Sequence, residues 1–165
     1  MEEYEYSFKA KSIEPFIRYC ERNNFKKIAV SWQNRKVYAS DYNPHLISRL
    51  TTEKINGRTK VTFDFKQAGV EVDGKKLSKE SETLVVTDRL MPFVESILDT
   101  LSFKLVAEDF RTRYVYRKGD ITFEIDDYII PKMKVVAIEG DKTAVEKLCD
   151  NDLKNLIRKN AENSI

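Results

Sequence analysis

Residues Glu3-Tyr4-Glu5-Tyr6-Ser7-Phe8-Lys9 alternate without a break, polar or charged at odd positions and aromatic at even ones. A period of two is that of a β-strand, whose successive side chains point to opposite faces. Such a strand must cover Tyr4, Tyr6 and Phe8 while it displays two carboxylates and an ammonium. The split recurs: Lys60, Thr62, Asp64 and Lys66 alternate with Val61, Phe63 and Phe65, and Glu124 and Asp126 alternate with Phe123 and Ile125. In a single strand this pattern ordinarily means a solvated outer face. Its repetition implies a sheet with one charged face and one apolar face. A closed barrel with its charges inward and an open sheet covered by helices on its apolar side satisfy the pattern equally.

Turn and helix signals divide the chain. Ser12 is placed to cap a helix that aligns Ile13, Phe16, Ile17 and Cys20, with Pro15 in its first turn. Strands are expected over 26–30, 36–39 and 46–52, then a hairpin at Asn56-Gly57, a strand over 60–66, a turn at Asp73-Gly74 and a strand over 77–86. After Thr87-Asp88 a helix presents Leu90, Val94, Ile97, Leu98 and Leu101. Strands follow over 104–108, 110–117, 121–127 and 134–139. A final helix carries Ala144, Val145, Leu148, Leu153, Leu156 and Ile157, and residues 160–165 are expected to fray.

The 165 residues suit a single domain, expected over 1–165. With 29 basic and 27 acidic side chains the net charge is +2, which argues against a nucleic-acid coat. No run approaches the roughly 18 apolar residues that span a bilayer, and Met1-Glu2-Glu3-Tyr4 does not resemble the start of a signal peptide. Cys20 and Cys149, the only cysteines, suit a reducing compartment, so the expected location is the cytoplasm. His45 is the only histidine, which excludes a multi-histidine metal site within one chain.

By parity, the charged face collects the acids Glu3, Glu5, Glu124, Asp126 and Glu139 and the bases Lys9, Arg49, Lys60, Lys66, Arg111 and Arg113. Residues i and i+2 of a strand lie roughly 6.5–7 Å apart on one face, so Glu3/Glu5 and Glu124/Asp126 can each aim at a common centre. Carboxylates converging without histidine or cysteine suit a hard cation, Mg²⁺ or Mn²⁺, taken up with substrate phosphates. Arginine supplies the complementary part, because its planar fork matches phosphate oxygens.

These residues, as an ordered set, resemble the CYTH or triphosphate tunnel metalloenzyme superfamily, which includes class IV adenylate cyclases and thiamine, inorganic and RNA triphosphatases. Glu3-Tyr4-Glu5-Tyr6-Ser7 resembles its Glu-x-Glu-x-Lys hallmark, and Arg111-Thr112-Arg113-Tyr114-Val115-Tyr116 its basic strand. Ile121 to Asp126 is similar to its acidic strand, and Val135 to Gly140 to its late Val-Glu-Ile-Glu strand. The resemblance implies an α+β fold, a predominantly antiparallel eight-stranded tunnel-like β-barrel with flanking helices. It implies catalytic roles for Glu3, Glu5 and Lys9. Lys9, Arg49, Lys60, Lys66, Arg111 and Arg113 would hold a triphosphate, and Glu3, Glu5, Glu124, Asp126 and Glu139 would hold Mg²⁺ or Mn²⁺.

The expected activity is metal-dependent hydrolysis of a triphosphate-bearing small molecule. The alternatives are class IV-type cyclisation of ATP and a catalytically impaired tunnel that binds polyphosphate or nucleotide. Neither a membrane nor a nucleic acid is an expected partner, and the resemblance allows a homodimer. The chain departs from the pattern at Ser7, where the hallmark has lysine, and at Ala137, where the late strand has its first glutamate. Thr51 replaces an arginine, and Asp64 stands where a lysine is expected.

Overall fold

Alternation at the N-terminus becomes pleat in β1 (Tyr4–Lys9), which runs antiparallel to β9 (Met133–Gly140) with Tyr6 opposite Ile138 and Phe8 opposite Val136. The computed structural model describes residues 4–72 and 75–162, with side chains outside 68–80. Between these two strands lie α1 (Glu14–Arg22), β2 (Lys26–Ser40), β3 (Leu46–Ile55), β4 (Arg58–Val72), β5 (Lys75–Glu80) and the two-residue β6 (Leu84–Val85). Then come α2 (Met91–Thr100), β7 (Phe103–Lys118) and β8 (Ile121–Ile130). After β9 the chain forms α3 (Lys142–Lys147), a π-helical turn (Leu148–Asp152) and α4 (Lys154–Asn160).

The strands follow the order β1-β9-β8-β7-β2-β3-β4-β5, with β6 paired to β4. The pairs β1·β9, β8·β9, β3·β4, β4·β5 and β4·β6 are all antiparallel. This is the expected α+β fold, an eight-strand antiparallel sheet with flanking helices, and among the described residues its pairing path runs from β1 to β5. Among the described residues no helix is long and apolar enough to cross a membrane.

The chain forms two compact units. Unit 1 comprises Met1–Trp32 and Arg111–Ile165, and unit 2 comprises Gln33–Phe110. In unit 1 the apolar face of β1, β8 and β9 meets α1, α3 and the turn after it. Phe16, Cys20, Phe123, Ile125, Val136, Ile138, Val145 and Leu153 are all fully buried there. Phe25 meets Phe123 edge to face, with ring centroids 5.1 Å apart. In unit 2 a smaller core joins Phe63 and Phe103 to Val94 and Leu98 of α2, so the helix covers the apolar face of β4. Both cores follow one rule: even-numbered aromatics and β-branched residues of β1 and β9, and their counterparts elsewhere, turn away from the charges.

Several local expectations are corrected. The strands expected at 26–30 and 36–39 are one strand, β2, and those at 104–108 and 110–117 are one strand, β7. The polar stretch of β2 between the two expected strands also carries side-chain bonds. Gln33 Nε2 donates to Glu53 Oε1 at 2.7 Å, Asn34 Nδ2 to Glu108 Oε1 at 2.9 Å, and Arg35 Nε to Thr51 Oγ1 at 3.3 Å. The strand expected over 77–86 is interrupted between β5 and β6, where Ser81 Oγ accepts from the Phe65 amide and Ser81 N donates to the Phe65 carbonyl. The N-cap of α1 is Ile13 rather than Ser12, although Ser12 Oγ still accepts from the Glu14 amide at 3.4 Å.

The single C-terminal helix is three segments, because Asp150, Asn151 and Asp152 are poor helix formers in mid-helix. Residues 160–162 are not frayed: Ala161 bridges Ala10, Asn160 O accepts from Lys11 N at 2.7 Å, and Glu162 N donates to Lys9 O at 2.8 Å. The turn expected at Asp73-Gly74 lies outside the described residues, as do 163–165.

Candidate functional site

The registers of β1, β9 and β8 turn sequence parity into a lattice in unit 1. Glu5 lies opposite Glu139, which lies opposite Thr122; Ser7 opposite Ala137, which lies opposite Glu124; Lys9 opposite Val135, which lies opposite Asp126. The first row therefore holds two acids, the second Glu124 beside an uncharged pair, and the third Lys9 together with Asp126. Glu5 and Lys9 are separated by roughly 13 Å along the strand. Ser7 and Ala137 are direct cross-strand neighbours.

Beside these rows β7 contributes two arginines. Arg113 grips Asp126 along one edge, Nε to Oδ1 at 2.8 Å and Nη2 to Oδ2 at 2.8 Å. Its Nη1 lies 2.5 Å from Glu124 Oε2. Burial alone would lower the Arg113 pKa, but the hydrogen bonds and charge of Asp126, followed by the charge of Glu124, outweigh it and hold the pKa above its ordinary value. Arg111 is buried, its Nη1 3.4 Å from Asp126 Oδ2. The same nitrogen donates to the Tyr128 hydroxyl, and the guanidinium lies 5.1 Å from that ring centroid. Tyr128 lies outside the expected site residues; its parity with Glu124 and Asp126 on β8 is the sequence signal that points to it.

In unit 2 Arg49 lies opposite Asp64 and donates from Nε to Oδ1 at 2.6 Å. Asp64 thus neutralises an arginine on the neighbouring strand. Lys60 lies opposite Glu53 beside the Asn56-Gly57 hairpin, and Lys66 lies opposite Ile47. Seven of the expected site residues (Glu5, Lys9, Arg111, Arg113, Glu124, Asp126 and Glu139) belong to unit 1, and Arg49, Lys60 and Lys66 belong to unit 2. Glu3 lies outside the described residues.

The donor chemistry can be tested against a divalent metal. Among the described residues no three His, Cys, Asp or Glu side chains form a metal cage. Glu124 and Asp126 are engaged by Arg113. The register places Glu5 opposite Glu139, two carboxylates of the kind that Mg²⁺, which keeps several waters, takes together with substrate phosphates. The thiols suit neither metal binding nor nucleophilic attack. Burial, then the charge of Glu21, pushes Cys20 up to about 12; burial, then the charge of Asp150, pushes Cys149 up to about 11.

Away from this face, a groove of about 640 Å³ runs between α1 and α4, lined among others by Arg18, Tyr19, Arg22, Asp152 and Lys159. Its arginine Arg18 is paired with Glu14 at 3.1 Å, one helical turn away, and both are largely exposed.

No family model matches the sequence, and no curated protein does. Solved structures do match its fold. The PH1819 protein of Pyrococcus horikoshii OT3 is 20% identical with a TM-score of 0.67, over 94% of this chain and 89% of that one. The fold is CYTH-like. It is shared by HpAC1 of Hippeastrum, an adenylyl cyclase candidate that reveals a dominant triphosphatase activity, at 13% identity and a TM-score of 0.66 over 94% of this chain and 87% of that one. A chain of the Schizosaccharomyces pombe Mediator head module also shares it, at 13% identity and a TM-score of 0.61 over 98% of this chain and 97% of that one. The same scaffold therefore occurs in an adenylyl cyclase candidate and in a Mediator head module, and function must be argued from the site.

Proposed function

We propose that the charged face of unit 1 binds a triphosphate-bearing small molecule, and that the protein hydrolyses it with Mg²⁺ or Mn²⁺. The observation that carries this reading is the lattice itself: Glu5 and Glu139 share one cross-strand row, while Lys9 and the Arg113–Asp126 pair mark a row two steps away. A carboxylate pair for an ion at one end, with an ammonium and a guanidinium donor for phosphate oxygens at the other, suits a metal-bound polyphosphate chain. Glu5 and Glu139, with Glu3 two residues before Glu5 in sequence, are the residues that would hold the ion. When bound, the ion supplies polarisation of a phosphoryl oxygen. Arg113 presents a guanidinium already aimed by Asp126, and Lys9 adds a mobile ammonium charge. The resemblance of β1, β7, β8 and β9 to the triphosphate tunnel enzymes supports the reading, as does the triphosphatase description of the Hippeastrum protein.

A second reading, a tunnel that binds polyphosphate without turning it over, is favoured by one observation. Ser7 and Ala137 face each other, and each stands where the family carries a charge. Product-resolved turnover of tripolyphosphate and of ATP, each with Mg²⁺ and with Mn²⁺, separates the readings. Orthophosphate release is the expected result. Cyclic AMP with pyrophosphate would indicate cyclase chemistry instead. Binding without turnover would establish the second reading, and the Ser7→Lys, Ala137→Glu double variant should then gain activity.

A further inference from the structure

Two carboxylates hold Arg113, and they are not equivalent. Asp126 is 6% exposed, takes the guanidinium edge with two bonds of 2.8 Å, and is itself braced by the buried Arg111, which Tyr128 in turn holds. Glu124 is 24% exposed and meets the guanidinium at Nη1. A phosphate reaching Arg113 from solvent meets Glu124 before Asp126. Phosphate oxygens make charge-assisted bonds of the same kind as a carboxylate, so an incoming phosphate competes with Glu124 for the same donor.

We propose that Glu124 is an internal anion that occupies Arg113 until a phosphate displaces it, while Asp126 is the positioning residue that keeps the guanidinium aimed. This rests on the phosphate-binding reading above and departs from it at one residue: without metal, Glu124 opposes substrate binding. Arg113 stays charged throughout the accessible pH range, since its pKa is held above the usual arginine value. The contest is therefore between two anions for one cation, and protonation of the guanidinium plays no part in it.

The test is calorimetric titration of tripolyphosphate, with a chelator present to remove divalent ions, into the wild type and the Glu124→Gln, Glu124→Asp and Asp126→Asn variants. Thermal melting of each confirms that it is folded. Glu124→Gln is expected to bind about tenfold more tightly, a decade being about 1.4 kcal/mol. Glu124→Asp, which keeps the charge, should stay near wild type, and Asp126→Asn should bind about tenfold more weakly. Unchanged or weaker binding by Glu124→Gln overturns the proposal, as does equal tightening by Glu124→Asp, which would assign the gain to packing. Either result leaves the phosphate site standing. Failure of all four proteins to bind tripolyphosphate overturns the proposal together with the phosphate-binding reading beneath it.

Discussion

Glu5→Ala is expected to lower tripolyphosphate turnover by about 10²-fold, in line with the loss of one charged contributor to a polar site. Glu5 is exposed on the first strand of unit 1, so removing its carboxylate takes away charge and little packing. Its melting temperature should therefore stay close to that of the wild type. The effect follows from the cross-strand pairing with Glu139: once either carboxylate is gone, the row offers one donor where a divalent cation is expected to use two. Glu139→Ala should be similarly impaired, and the double variant should lose less than the product of the two, because residues that act as a unit are not additive. Manganese titration in the presence of tripolyphosphate gives the second readout, with apparent affinity falling about tenfold in either single variant. Wild-type turnover and manganese affinity in Glu5→Ala would remove the acidic row from the site.

The largest expected effect on stability is at Gly140, where β9 ends. Its φ is +151°, and a Cβ built there would stand 2.5 Å from the Asp120 carbonyl oxygen. Backbone on both sides is fixed: Gly140 is paired with Tyr4, and the next residue, Asp141, caps α3 by accepting from the Ala144 amide at 3.0 Å. The oxygen belongs to main chain and cannot swing aside as a side-chain tip would. Gly140→Ala should therefore cost about 3 kcal/mol, from strain and overlap together. For a chain of this size that lowers the melting temperature by about 6–12 °C. Gly119→Ala is the control. Its φ is +57° with open space around the added Cβ, so the cost should be about 1 kcal/mol, the left-handed penalty alone. Equal melting temperatures for the two variants would show that the contact at Asp120 yields.

What could be read in advance was face, and what could not was register. Tyr4, Tyr6 and Phe8 declare one side of β1 because side-chain direction is a local property of the chain, but burial is not: Tyr4 and Phe8 pack against the unit 1 core while Tyr6 stays 38% exposed. That Ser7 would meet Ala137, or Arg49 meet Asp64, depends on which strands pair and with what offset, and neither is encoded within one segment. The same limit explains β2. Gln33, Asn34 and Arg35 are all polar, and what makes them strand lies far away in sequence: β2 is paired between β7 and β3, and their side chains bond Glu53, Glu108 and Thr51 among others. Arg111 and Arg113 share a parity and so read as equivalent phosphate ligands. Packing separates them, since Arg111 is buried against Tyr128 and Asp126 whereas Arg113 keeps a partly open edge.

The claim that unit 1 carries its site on the charged face, rather than in the groove between α1 and α4, is tested most directly by mapping tripolyphosphate onto the isotope-labelled protein by amide chemical shifts. The account predicts saturable shifts at Glu5, Lys9, Arg113, Glu124 and Glu139, with α1 and α4 unmoved. Shifts concentrated at Arg18, Arg22 and Lys159 would contradict it and place the anion site in the groove instead.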